Sequence, residues 1–243
     1  GTGRGSAFNE YEYIGFGITM EQGREMLDEA EELLVKAWTG TDVVHKGRFW
    51  DLSFPGLRPR PFQKPHPPIV RACISEDSLV AMGQAGRPVL IGVQTLDTLR
   101  HRFGRYREAL EGSGLNENQV EDVLDQTWAQ RLLFVCDSDQ QGLEVAEAAL
   151  GRYRAHLLDA RVRFNPGGAP PPPPGTPPPA GEVVEHAFLA GTPATVAGKM
   201  EELRDTGVRN VLLNPNVGQI PAHLVERSMR LFGQKVIPKF QDG

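Results

Sequence analysis

The sequence lacks the long apolar runs of a membrane protein and the basic clusters of a nucleic-acid-binding protein. No run approaches the roughly 18 to 20 apolar residues that a membrane helix needs, and no basic-then-apolar leader opens the chain. Lysine and arginine total 26 against 31 acidic residues, so the net charge is −5 and no basic stripe is available for phosphates along a duplex. We therefore expect neither a membrane nor a nucleic acid as a partner.

Cysteine is also scarce. Cys73 and Cys136 are too few for a disulfide framework, and neither lies at metal-ligand spacing from another cysteine. A reducing, cytoplasmic setting is therefore expected. The histidines show neither metal spacing nor a nucleophile partner; they are His45, His66, His101, His156, His186 and His223. The sequence thus predicts no metal site.

The residues that are present describe a globular protein. Of 243 residues, 40% are hydrophobic and 23% are charged, which leaves ample apolar surface for a buried core. Thr19 and Gln22 form a capping-box pattern, and apolar residues then recur at helical spacing until Gly40. Prolines within 41–68 exclude a long helix there and indicate a hairpin insertion at the surface.

Apolar runs then alternate with helical segments. The predicted strands are 69–74, 89–93, 128–136 and 208–213, and the intervening helices begin near Ser75, Thr95, Asp139 and Thr192. Such alternation implies a parallel sheet that helices cover. Since a closed (β/α) barrel has eight strands, the sequence predicts either an open α/β sheet or a barrel without its N-terminal half. The proline-rich segment 165–182 has too little apolar surface to order itself and is expected to be a disordered loop.

Several motifs occur in the order in which one known family carries them. They are Gly-Thr-Gly-Arg-Gly at 1–5, a helix that ends in Trp-Thr-Gly at 38–40, Gly-Arg-Phe-Trp at 47–50, Arg-Pro-Phe-Gln-Lys-Pro-His-Pro-Pro-Ile at 60–69 and Gly-Thr-Pro-Ala-Thr-Val-Ala at 191–197. In this set the chain resembles the bacterial luciferase-like family of flavin-dependent oxidoreductases. The resemblance covers nearly the whole chain apart from the proline-rich segment. It implies one α/β domain over 1–243, of the (β/α)8 TIM-barrel type, that lacks the first four strands.

The resemblance also implies an activity. Monooxygenases of this family use reduced FMN and O2 to oxygenate a small organic substrate, and a separate flavin reductase supplies the reduced cofactor. Other members with the same fold are dehydrogenases or reductases that use the deazaflavin F420 and no oxygen. The third alternative is a degenerate flavin-binding fragment or a purely structural remnant, without turnover in either case. A homodimer is compatible with each of them.

One candidate for cofactor binding lies at the end of the first predicted strand. Ala72, Cys73, Ile74 and Ser75 run straight into a helix, so backbone N–H groups and the Ser75 hydroxyl can hold a phosphate. By resemblance this is the flavin phosphate site, with Ala72 and Cys73 standing where the family commonly has glycines. A Ser75 that only caps its helix is the equal alternative.

The second candidate is the turn of Gly3, Arg4 and Gly5. Its glycines would let the backbone pass close to a flat ring, while Arg4 reaches a carbonyl or a phosphate of the cofactor. A flexible terminus is the alternative interpretation.

Further candidates concern the substrate and the reaction. Glu10 and Tyr13 are predicted to line the mouth of a substrate pocket, with an ordinary surface position as the alternative. Arg131 interrupts an otherwise apolar strand, so it is expected either to pair with a carboxylate or to face a ligand. The resemblance makes Arg131 the candidate catalytic residue, and Arg71 follows the same reasoning with a weaker match.

Overall fold

The structure is a computed structural model that describes residues 9–168 and 188–241, together with the backbone of residues 2–4. The chain divides into two compact units. The first comprises Gly1–Val70 and Arg161–Ala169, and the second comprises Arg71–Ala160 and Pro170–Gly243. The single domain that the sequence predicts over 1–243 stays a prediction. No helix in the described ranges is both long and apolar enough to span a bilayer.

The first unit is built on a long helix and a hairpin. Its elements are β1 (Thr2–Arg4), α1 (Glu10–Gly15), α2 (Met20–Thr39), β2 (Asp42–Lys46) and β3 (Asp51–Pro55). The capping box expected of Thr19 and Gln22 is present at the start of α2, and the helix ends at Gly40. Strands β2 and β3 pair antiparallel and form a hairpin within the segment 41–68.

The second unit alternates strands with helices. Its elements are β4 (Ile69–Cys73), α3 (Glu76–Gln84), β5 (Val89–Ile91), α4 (Leu96–Glu111), α5 (Glu117–Leu124), β6 (Trp128–Val135), α6 (Asp139–Phe164), β7 (Phe188–Gly191), α7 (Pro193–Arg204), β8 (Asn210–Asn214) and α8 (Ala222–Leu231). A π-helical turn (Phe232–Val236) and a 3-10 turn (Ile237–Phe240) continue α8. Strand β4 and helix α6 each have one end in the first unit.

The predicted parallel sheet is confirmed. Strands β4, β5, β6 and β8 pair parallel in sequence order, with β6 between β5 and β8 in the pairing. A further strand, β7 beside β6, belongs to the same sheet and was not predicted. The apolar run at β7 spans only 187–190 and directly follows the proline-rich part of the sequence, whereas the run that predicted β5 spans 89–93. Helix α5 was also not predicted, although Asn116 and Gln119 form its capping box.

Side chains alternate between the two faces of β6. Ala129 and Leu133 belong to a core that is covered by helices α3, α4, α5 and α7. Leu132 and Phe134 face the other way and pack against α6. The carboxyl half of β6 is therefore covered on both faces, which explains its nearly continuous run of buried residues.

Around the amino-terminal half of β6, one face of the sheet is open. Ala72 pairs in register with Leu90, Leu90 with Trp128, and Trp128 with Asn210, so the four residues form one row. Leu212 follows Asn210 on the same side of β8. Trp128 is 37% exposed and Leu212 is 44% exposed. We call these five residues the open face.

The expected disordered loop falls mostly outside the described residues. Within 165–182, only the first four residues are described, directly after α6. Asn165 is buried there, and its side-chain oxygen accepts a hydrogen bond from the backbone N–H of Tyr11 at 3.0 Å. The beginning of the segment is thus anchored in the first unit.

Candidate functional site

The carboxyl ends of the parallel strands in the second unit lie at one edge of the sheet. In parallel α/β folds, ligands bind at this edge because loops and helix N-termini present unpaired N–H groups there. Strands β4, β5 and β7 are each followed by a capped helix, with Ser75, Thr95 and Thr192 as the N-cap residues. The edge therefore offers three helix N-termini to a ligand.

The turn between β4 and α3 has the geometry that the sequence suggested. Ser75 caps α3, and its hydroxyl oxygen accepts a hydrogen bond from the backbone N–H of Ser78 at 3.3 Å. Ala72, Ile74 and Ser75 are exposed, whereas Cys73 is buried on the helix-covered face. Burial raises the pKa of the Cys73 thiol, so this residue is a neutral core group. The exposed backbone of the turn is accessible to an anion.

A cation lies beside this turn. One guanidinium nitrogen of Arg102, Nη1, donates to the carbonyl oxygen of Ile74 at 2.7 Å and to the side-chain oxygen of Gln94 at 2.8 Å. The amide nitrogen of Gln94 is buried and has no hydrogen-bond partner in the described part of the chain. Arg102 thus adds a positive charge beside the turn, and the side-chain oxygen of Gln94 holds this arginine in place.

Neither residue was predicted from the sequence, where the strand end and the Ser75 cap were the candidates at this turn. The signal was available, because Thr95 caps a helix that begins at the same edge of the sheet. Side chains from the first two turns of that helix, Arg102 among them, can reach the neighbouring strand end.

The acidic residues of α3 do not cancel the positive charge of Arg102 in full. Glu76 lies in the first turn, where its carboxylate is 3.1 Å from Nε2 of His101 and 3.7 Å from Nε of Arg105. Both partners belong to α4 and are exposed. Asp77 is exposed in the same turn. The carboxylate of Glu76 is therefore directed toward cations on α4.

The N-terminus of α7 differs, because a carboxylate of the chain already occupies it. Oδ1 of Asp139 accepts a hydrogen bond from the backbone N–H of Thr192 at 2.7 Å. This bond, with hydrogen bonds from the side chains of Thr195 and Thr192, lowers the pKa of Asp139. Asp139 is thus ionised at neutral pH and fills the position that a ligand anion would take. Of these two turns, the one after β4 is therefore the better candidate for an anion.

Arg131 lies away from the open face. It is in register with Leu213 and lies between Ala129 and Leu133 on β6, so its side chain is on the helix-covered face. The residue is fully buried, and burial lowers its pKa to about 10. Nη1 donates to the carbonyl oxygen of Gln130 at 2.7 Å, whereas Nε and Nη2 have no partner among the described residues. Its catalytic role stays a prediction.

The remaining candidates belong to the first unit. Gly3 and Arg4 form part of β1, and Gly5 lies outside the described residues. Glu10 begins α1 and is exposed, while Tyr13 is buried with its ring against α2. A Cβ atom at Gly23 of α2 would lie 2.1 Å from that ring, so Tyr13 contributes to packing. The cofactor and substrate roles of these residues stay predictions.

No group of three or more histidine, cysteine, aspartate or glutamate side chains could hold a metal ion within the described ranges. The donors at the edge of the sheet are instead hydroxyl, amide, guanidinium and backbone N–H groups. These groups bind oxyanions.

Comparison with known proteins identifies the same fold in several solved structures. Monooxygenase RslO1 from Streptomyces bottropensis superimposes with a TM-score of 0.77 at 23% identity, over 98% of this chain and 68% of that one. The oxygenating constituent of 3,6-diketocamphane monooxygenase from Pseudomonas putida, a type II Baeyer-Villiger enzyme in complex with FMN, gives 0.70 at 21% identity, over 98% and 70%. The F420-dependent tetrahydromethanopterin reductase of Methanopyrus kandleri gives 0.63 at 17% identity, over 98% and 74%.

At these identities the solved structures establish the fold alone. The parallel sheet of this chain corresponds to part of a (β/α)8 barrel, and the chain is shorter than each of the three proteins it was compared with. A sequence profile of the luciferase-like monooxygenases matches residues 1–210, which is most of the chain. The chain therefore belongs to the luciferase-like monooxygenase family.

Proposed function

We propose that this protein is a flavin-dependent monooxygenase that uses reduced FMN and O2 to oxygenate a small organic substrate. The observation that carries the proposal is the turn after β4, where Arg102 lies beside the N-terminus of α3; we call this turn the anion site. Family membership supports oxidoreductase chemistry, and the P. putida relative is described in complex with FMN. A separate flavin reductase would supply the reduced cofactor.

The residues of the turn suit the phosphate of FMN. Backbone N–H groups at the start of α3 point out of the helix, and a phosphate is stabilised there by the helix dipole. Arg102 would donate to a phosphate oxygen from its remaining guanidinium nitrogens. The buried amide nitrogen of Gln94, which lacks a partner among the described residues, would donate to a second acceptor. The donor set therefore fits a phosphomonoester.

The side chain at position 72 also suits a bound cofactor. Ala72 is exposed on the open face, and its methyl group is small enough to let a ligand approach the strand end. Gly92 directly follows β5, its N–H donates to the carbonyl oxygen of Cys73, and a Cβ atom there would lie 3.1 Å from the side chain of Ile74. A larger residue at either position would narrow the approach to the turn.

When bound, reduced FMN supplies the reaction with O2, and the protein supplies binding, orientation and exclusion of water. The turn after β4 would hold the phosphate end and so fix the position of the cofactor along the edge of the sheet. Ser75 would contribute a hydroxyl group and its backbone N–H.

The experiment that tests the proposal compares FMN with riboflavin, which lacks the phosphate. Fluorescence titration of the protein with each flavin gives two dissociation constants. We expect Arg102→Gln to weaken FMN binding by about tenfold, since a charge-assisted hydrogen bond contributes about 1.5 kcal/mol or more. Riboflavin has no phosphate for Arg102 to contact, so its dissociation constant should change by less than about twofold, an effect smaller than the loss of one hydrogen bond.

Arg100→Gln is the matched control. Arg100 belongs to the same helix and pairs with Asp97 at 3.0 Å, so the variant removes the same charge away from the turn. Equal effects of the two variants on FMN would contradict a phosphate site at Arg102. If neither flavin bound, the proposal would fail and a purely structural remnant without turnover would be supported.

An F420-dependent dehydrogenase or reductase is the second candidate function. The observation that favours it is the similarity to the M. kandleri reductase, which is F420-dependent. Titration with F420 under the same conditions distinguishes the two candidates. Tighter binding of F420 than of FMN, with substrate reduction in the absence of O2, would favour this second function.

A further inference from the structure

A cavity of about 900 Å³ lies in the second unit, away from the edge that holds the anion site. Its lining includes Gly207, Val208 and Arg209, which precede β8 and so lie at the opposite end of that strand. The volume is in the range of pockets that hold small organic ligands. The cavity is therefore separate from the proposed cofactor site.

The inner wall of the cavity is apolar. Val211 and Leu213 come from β8, Met200 from α7, and Phe232 and Phe240 from the turns that follow α8. Leu213 and Val211 are only partly buried, so their side chains present apolar surface to the cavity. Burial of such surface by a ligand is favourable by about 25 cal/mol per Å².

The rim of the cavity is cationic, and its cations differ in their partners. Arg209 pairs with Glu121 and with Asp125, and Arg107 pairs with Glu111 at 2.8 Å. Arg204 and Lys239 also line the cavity, but neither forms an ion pair within the described part of the chain. Two of the four charges are thus neutralised by carboxylates, and two remain for a ligand.

A further cation lies behind the wall. Arg131 is in register with Leu213, so their Cα atoms are one strand spacing apart, about 4.8 Å, on the same face of the sheet. Its guanidinium is fully buried, with Nε and Nη2 unpartnered in the residues that the structure describes. A buried charge of this kind makes the potential at the wall more positive.

We propose that this cavity binds an amphipathic organic anion, an aromatic or aliphatic carboxylate or sulfonate. The apolar part would pack on Val211 and Leu213, and the acidic group would lie between Arg204 and Lys239. No residue of the cavity belongs to the anion site after β4, so the inference goes beyond the proposed function and is independent of it.

The test uses two fluorescent probes that differ in charge, the anion 8-anilinonaphthalene-1-sulfonate and the neutral N-phenyl-1-naphthylamine. Titrations of the whole protein with each probe give affinity and stoichiometry. We expect one sulfonate per chain. The double variant Arg204→Gln, Lys239→Gln should weaken sulfonate binding by about tenfold, because two charge-assisted contacts are lost. The neutral probe should bind both proteins equally.

Lys235→Gln is the control for this experiment. Lys235 is exposed in the same carboxyl-terminal turns but does not line the cavity, so the variant removes a charge and leaves the rim intact. Both altered side chains of the double variant are exposed, so its fold should be retained. Equal sulfonate affinity in the double variant and the native protein, or binding of several sulfonates per chain, would overturn the proposal.

Discussion

The carboxylate of Glu29 on α2 lies 3.1 Å from Nε2 of His45 on β2. His45 is only 2% exposed, and the same carboxylate also accepts hydrogen bonds from three consecutive backbone N–H groups, at residues 48–50. The carboxylate of Glu29 thus connects the turn of the β2–β3 hairpin to helix α2 by hydrogen bonds. A Cβ atom at Gly47 would lie 1.9 Å from this carboxylate, which explains why glycine stands there.

Glu29 makes the stability of the first unit depend on pH. Burial tends to raise its pKa, but the hydrogen bonds from His45 and from the backbone N–H groups at 48–50 outweigh it and hold the pKa below the ordinary 4.5. For an acid with a lowered folded pKa, the stabilisation is present above 4.5 and is lost as the pH falls through the folded value. We therefore expect Glu29→Gln to lower the melting temperature at pH 7.

The measurement is thermal unfolding of both proteins from pH 7 to pH 3. The difference in melting temperature should shrink as the native carboxylate becomes protonated. Glu32→Gln is a control, since Glu32 lies on the same helix and pairs only with the exposed Lys36 among the partners described. A difference that stays constant over this pH range would show that the charge of Glu29 contributes nothing.

Replacement by alanine should change the free energy of unfolding in opposite directions at two glycines of α6. A Cβ atom at Gly142 would lie 2.5 Å from the backbone nitrogen of Gly191, whereas one at Gly151 would have no atom within 4 Å. Gly142→Ala should lower the free energy of unfolding by about 1 to 3 kcal/mol through overpacking. Gly151→Ala should raise it by about 0.5 to 1 kcal/mol through helix propensity.

Urea unfolding with an unchanged m value measures both effects. If the Gly142→Ala and Gly151→Ala variants were equally stable, this result would contradict the close contact between the start of α6 and the end of β7. The pair needs no further control, because both substitutions add one methyl group to the same helix.

Replacement of Arg131 by methionine tests what its burial costs. An unpaired guanidinium in the core is unfavourable, and an apolar side chain of similar length removes that cost. Arg131→Met should therefore raise the free energy of unfolding by about 1 kcal/mol or more. A catalytic Arg131 predicts instead that turnover is lost while stability is unchanged, and this outcome would contradict our expectation.

Both cysteines should be unreactive in the folded protein. Cys73 and Cys136 are 3% and 6% exposed, and burial raises the pKa of each thiol. Because the thiolate is the reactive form, titration with a thiol reagent at pH 8 should be slow in buffer and fast in urea. Rapid modification of one thiol in buffer would show that its part of the sheet opens readily.

The elements with strong local signals could be predicted from the sequence. Thr19, Ser75, Thr95 and Thr192 each cap a helix as the N-cap chemistry predicts, and the four longer apolar runs became parallel strands. Strand β7 could not be predicted in the same way. It is short and is held by pairing with β6, a contact between residues distant in the sequence.

The site was harder to predict than the fold. Ser75 was found because a strand end and a cap are local features, but Arg102, which donates to the carbonyl oxygen of the preceding Ile74, comes from the next helix along the chain. The position of Arg131 depends on which face of β6 the helices cover, and a single polar residue in an apolar run does not reveal that face. In both cases the deciding contacts are tertiary.

The open face predicts how the sequence can vary during evolution. Ala72, Trp128 and Leu212 point away from the helix-covered core, whereas neighbours such as Ala129 and Cys73 fill it. Core positions tolerate few volumes, so substitutions there should be purged. Along β6 and β8, accepted mutations should therefore alternate with a period of two, and the alternation should fade in the carboxyl half of β6, where both faces are buried.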